Sequence, residues 1–95
     1  MEVAAEIAED IGSLIAALER MGLKVEDSQY DAQSFGNFHV DVSGRRGRFR
    51  IVRDRSQYML YAKSLAQIKL SGMFRAFDSR DEFEAALLKY ARTVV

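Results

Sequence analysis

Ninety-five residues, 48% of them apolar and 29% charged, suffice for one hydrophobic core, leave no room for a second, and exclude a disordered chain. The lack of cysteine excludes disulfides, thiolate metal centres and cysteine nucleophiles. Fourteen bases balance fourteen acids, yet residues 1–31 hold eight acids and two bases while residues 32–75 hold nine bases and two acids.

Ile7, Ile11, Leu14, Leu18 and Met21 recur at helical steps, which predicts an amphipathic helix from Glu2 to Met21. Glu2, Glu6, Glu9 and Asp10 suit its positive end, and Gly22 suits its exit. Leu23–Glu26 alternates as a short strand before a polar stretch, Asp27 to Ser34. Phe38, Val40 and Val42 then alternate with polar residues as a half-buried strand. Ser43 to Gly47 reads as a turn whose glycines can take positive backbone angles, and Arg48 to Arg53 returns as the second strand of a hairpin. Asp54 to Ser56 forms another turn, and Tyr58 to Ala62 a further strand. Ile68 and Leu70 alternate like a strand whereas Ser64 to Gln67 has the composition of a helical turn, and a last strand is expected near Met73 to Phe77. Ser79 and Glu82 form a capping box for a helix carrying Phe83, Leu87, Tyr90 and Val94. The expectation is an α+β domain over residues 1–95: an N-terminal helix, an antiparallel meander of four strands, or five with 73–77, and a C-terminal helix. Both helices cover one sheet face.

No apolar run nears the roughly 18–20 residues that span a bilayer, and the acidic start differs from a basic signal peptide, so a cytoplasmic protein without membrane association is expected. His39 shares the polar face of its strand with Asn37 and Asp41, a set that can hold a proton or a metal. One histidine without a second is read as an ordinary surface residue, and no metal or cofactor is expected. None of Ser34, Ser43, Ser56, Ser64, Ser71 and Ser79 sits in a Gly-x-Ser-x-Gly elbow, and Gly44 and Gly47 lack the spacing of a phosphate loop, so no enzyme is expected.

The concentrated polar chemistry is Arg45, Arg46, Arg48, Arg50, Arg53 and Arg55, six guanidinium groups in eleven residues. Arg45 and Arg46 fall at the hairpin tip, Arg48 and Arg50 on the face away from the core, and Arg53 on the core side, where Asp54 or a helix carboxylate can pair with it. Arg45, Arg46, Arg48 and Arg50 are the candidate contacts for a protein partner or a second copy. Nucleic-acid binding through residues 45–55 is the alternative, and neutralisation by the acidic first helix competes with both. Tyr30, Phe35, Tyr58 and Tyr61 offer stacking surfaces or core.

Phe35-Gly36-Asn37, Val40, the run Arg50-Ile51-Val52-Arg53-Asp54-Arg55, and Tyr58 together resemble small bacterial proteins of unknown function and some immunity proteins of polymorphic toxin systems. The resemblance covers about thirty of the 95 residues, and a tryptophan expected near the third strand is absent. It implies a binding role and carries no functional residue across.

Overall fold

The computed structural model describes residues 3–63 and 65–95. Helix α1 (Ala5–Arg20) is followed by strands β1 (Lys24–Asp31), β2 (Asn37–Gly44), β3 (Gly47–Asp54) and β4 (Gln57–Ala62), a short helix α2 (Leu65–Leu70) and helix α3 (Arg80–Ala91). The strands form one antiparallel sheet in sequence order, β1-β2-β3-β4, so each strand pairs with its neighbours in the chain. This is the expected α+β arrangement.

Apolar spacing and helix ends decide α1. Ile7, Ile11, Leu14, Ile15 and Leu18 are all buried. Gly22, at φ 97°, closes the helix: its N–H donates to Glu19 O at 3.0 Å and Leu23 N–H to Leu18 O at 3.1 Å, the two bonds of a Schellman cap. The helix kinks at Ile11 (φ −126°, ψ 23°), beside the Gly12–Ser13 pair that weakens the turn there. At the other end of the chain, the Ser79 hydroxyl accepts from Glu82 N–H at 3.2 Å and starts α3, which is the serine half of the expected capping box, while the Glu82 carboxylate turns to Arg75.

Phe38, Val40 and Val42 from β2, Phe49 and Ile51 from β3, and Tyr58 and Leu60 from β4 point to one face and meet α1 and α3. Aromatic contacts anchor α3: Phe83 stacks on Tyr58 with centroids 5.5 Å apart and meets Phe77 edge-on at 5.6 Å, and Tyr90 meets Phe49 edge-on at 5.7 Å. The helical face of the sheet therefore carries the core, and the opposite face is bare.

Three local expectations change. β1 runs on to Asp31, through residues read as a polar stretch, because a bulge between Val25 and Asp27 shifts the pairing. Glu26 and Asp27 both turn outward there, and Ser28 and Tyr30 take the inward positions opposite Val40 and Phe38. The strand expected at Met73 to Phe77 shrinks to a single bridge between Phe77 and Tyr58, preceded by α2. Extending the bridge would set Arg75 opposite Leu60, over the core. The guanidinium instead lies 3.9 Å from the Phe77 ring centroid and pairs with Glu82 at 3.2 Å. Gly72 (φ 77°) ends α2 with a second Schellman cap, Gly72 N–H to Lys69 O and Met73 N–H to Ile68 O.

The third change concerns the hairpin glycines. Among the glycines, positive φ falls at Gly22, Gly36 and Gly72, and neither Gly44 nor Gly47 adopts it. Gly44 serves clearance: a Cβ there would overlap the Val94 carbonyl and crowd Leu23. The Val94 carbonyl also accepts from Arg46 N–H at 3.0 Å, so the hairpin tip is clamped to the segment after α3.

Candidate functional site

Antiparallel register places the side chains of the bare face in rows across the strands. Ser43 and Arg48 form one row with Lys24, and Asp27, Asp41, Arg50 and Tyr61 form the next. Gln29, His39, Val52 and Met59 follow, and Asp31, Asn37, Asp54 and Gln57 close the face. A shallow groove of about 440 Å³ crosses it, floored by His39, Arg50, Val52, Asp54 and Tyr61. Tyr61 is 54% exposed, whereas Tyr58, of similar sequence context, is in the core at 6%. Phe35 stands out at 80% in the β1–β2 loop, and Tyr30 is half-buried.

The six arginines do not act as one cluster. Arg50 is locked to Asp41 in a bidentate pair, Nε to Oδ1 at 2.6 Å and Nη2 to Oδ2 at 3.0 Å. Those hydrogen bonds hold the Asp41 carboxyl below the usual aspartate range and raise the Arg50 guanidinium. Arg53 points inward, as its parity requires, and its Nε lies 3.2 Å from Asp10 Oδ2 of α1, while Nη1 donates to Gly36 O at 3.4 Å. The ion pair is close, but the Nε–H is not aimed at the carboxylate and stays buried without a hydrogen bond. Arg55 sits at the far end of the hairpin pair, in the β3–β4 turn. That leaves Arg45, Arg46 and Arg48, which make no ion pair among the described residues.

Neutralisation by α1 is thus confined to the inner side of the sheet. Asp10 is the only acid of α1 that reaches an arginine among the described residues, and its partners are Arg53 and, at 3.7 Å, Arg80. Glu6 and Glu9 are exposed on the helix. The tip arginines gain a neighbour that the linear cluster did not include: Lys63 joins Arg46 and Arg48 around a groove of about 390 Å³ beside Tyr90 and Val94.

His39 and Asp41 do come together on the bare face, and Asp27 rather than Asn37 completes the set, with one donor atom of each within 4.8 Å of the others. Asn37 is occupied in the β3–β4 turn, where its Nδ2 donates to Asp54 Oδ1 at 3.0 Å and its Oδ1 accepts from Arg55 N–H at 2.9 Å. Asp27 escaped the sequence reading because the bulge reverses its facing. Placing Asp27 directly opposite Asp41 sets two like charges against each other, and the Arg50 guanidinium supplies the counter-charge. A divalent ion would have to displace it. Next to them, the exposed Glu26 carboxyl accepts from the Ser43 hydroxyl at 2.6 Å, which lowers its pKa.

Among the described residues no helix is long and apolar enough to cross a membrane. No family model, no curated protein and no solved structure matches the chain.

Proposed function

We propose that the chain is a non-enzymatic protein-interaction module, of the kind the resemblance to immunity-type inhibitors implies, and that its bare sheet face is the contact surface. The observation that carries this reading is the composition of that face. Val52, Met59 and Tyr61 lie beside Arg48 and Arg50, and aromatic residues, methionine and arginine are the side chains enriched at protein interfaces. Arg45, Arg46 and Arg48 supply free charge at one border, and Arg50 offers a guanidinium already oriented by Asp41.

Photo-crosslinking tests it. A benzophenone amino acid at Met59 is expected to yield a discrete adduct in cells of the source, and the same probe at Glu9, on the exposed side of α1, none. Arg48→Glu is expected to abolish the Met59 adduct. Equal labelling from both positions, or none from Met59, refutes the reading.

One observation favours a second reading. Arg46, Arg48 and Lys63 surround a single groove, an arrangement suited to phosphates. Nucleic-acid binding there predicts affinity for a 20-nucleotide single strand that falls with salt by about 0.7 log units per log unit for each phosphate contact. Replacing Arg45, Arg46 and Arg48 by alanine should then flatten the slope. An unchanged slope, or no binding at low salt, eliminates it.

A further inference from the structure

We propose that the outer edge of β4, beyond the Tyr58–Phe77 bridge, is a docking slot for an extended segment of a protein partner in which apolar residues are flanked by carboxylates. The slot borders the bare face and shares Met59 and Tyr61 with it, but its case rests on the peptide groups of the strand edge and on the α2 side, which the rows of that face do not include.

The backbone carries the first part of the case. Tyr58 N–H donates to Phe77 O and Phe77 N–H to Tyr58 O, both at 2.8 Å, so the peptide groups of Tyr58 face away from β3. Strand alternation turns those of Leu60 and Ala62 the same way. No described residue pairs them, because the chain from Met73 to Ala76 has turned aside, with Arg75 N–H donating to Met73 O at 2.9 Å. The divergence opens a slot of about 270 Å³ between Leu60 and Ala62 on one side and Ile68, Met73 and Phe74 on the other. Donors and acceptors spaced along a strand edge, next to an apolar slot, match another strand.

The two sheet edges differ in protection. β1 carries a bulge and the exposed acids Glu26, Asp27 and Asp31, devices that discourage pairing. β4, from Gln57 to Ala62, has no charged residue.

Charge selects the occupant. Residues 57–77 contain no acid and three bases, of which Arg75 pairs with Glu82 while Lys63 and Lys69 make no ion pair among the described residues. Lys69 Nζ lies 5.2 Å from the Phe74 ring centroid, which fixes a cation at the slot, and Phe74 is 59% exposed. A second copy is the poorer fit: pairing β4 with β4 would bring the same basic stretch against itself. An acid-flanked strand meets both the backbone and the field.

Selection of a phage-displayed library of random twelve-residue peptides on the full chain tests the proposal. Enriched sequences should alternate apolar residues and carry Asp or Glu at their flanks. An enriched peptide, synthesised with blocked ends, should slow amide exchange at Leu60 and Ala62 by about tenfold or more at saturation. Lys63→Glu with Lys69→Glu should weaken it roughly threefold to tenfold, and Phe74→Ser should weaken it too, with an unchanged circular dichroism spectrum showing that each variant folds. No enrichment, enrichment of basic peptides, or binding that leaves the Leu60 and Ala62 amides unprotected overturns the proposal. Light scattering that shows a dimer lost in Phe74→Ser would assign the slot to a second copy and overturn it as well.

Discussion

Replacing Asp10 by alanine should be among the most damaging single changes to a polar residue, because that carboxylate ties α1 to both later parts of the fold. It accepts the Tyr58 hydroxyl at 2.8 and 3.0 Å, lies 3.2 Å from Arg53 Nε and 3.7 Å from Arg80 Nη1, and its backbone carbonyl takes a further bond from Arg80 at 3.3 Å. The tyrosine bond dominates: a hydrogen bond from a buried donor to a charged acceptor contributes about 1.5–3 kcal/mol. Arg53 and Asp10 are 27% and 18% exposed, so their pair adds about 1 kcal/mol, while half-exposed Arg80 adds little. A loss of about 2.5–4 kcal/mol, against the roughly 5–14 kcal/mol expected of a 95-residue domain, lowers Tm by about 10–30 °C. Urea denaturation followed by circular dichroism measures it, with a cycle through Tyr58→Phe to isolate the coupling, expected at about 1–2 kcal/mol. Asp10→Asn, which keeps an acceptor for the hydroxyl, should recover part of the loss. A cost for Asp10→Ala below about 0.5 kcal/mol, or a cycle that closes without coupling, would refute the reasoning.

Gly44→Ala should cost about 2–4 kcal/mol, from overpacking against Val94 and loss of the Arg46 N–H bond, visible as faster exchange of the Arg46 amide. Arg55 and Ser56 both hold positive φ, 52° and 69°, in a two-residue turn that prefers Asn-Gly, so Ser56→Gly should stabilise the fold by about 1 kcal/mol in the same urea assay. Arg50→Met should raise zinc affinity at Asp27, His39 and Asp41 by about tenfold or more, read from the single histidine's NMR resonances, since the competing cation is gone. Burial raises the Glu84 carboxyl above the ordinary 4.5, so the folded state holds that proton more tightly than the unfolded chain. Glu84→Gln should therefore raise Tm at pH 7, and its advantage should vanish as the pH falls below 4.5.

Legibility followed the range of the interaction. The stripe from Ile7 to Leu18 with Gly22 after it, the alternation in β2 and β3, and the Ser79–Glu82 cap are local patterns with local causes, and each appears in the fold. The bulge at Glu26 leaves no comparable mark in the sequence, so alternation alone places Asp27 in a polar stretch and does not bring it to His39 and Asp41. The strand pattern at Met73 to Phe77 was real but insufficient: its register would carry Arg75 onto the core, a conflict visible only once the partner strand is known. Parity within β3 correctly separated Arg48 and Arg50 from Arg53. Which carboxylate each would meet depended on the sheet register for Arg50 and on the docking of α1 for Arg53.

Sequential strand pairing also bears on how the domain comes apart. The hairpins close over short stretches of chain and can form early, whereas the Asp10 contacts join residues 48 and 70 positions apart, and such closures are slow to be rewarded. If α1 docks after the transition state, its anchor brakes unfolding and scarcely affects the folding rate. Loss of Asp10 would then shorten the lifetime of the native state while leaving refolding near its original speed, and the two arms of a chevron plot would separate these effects.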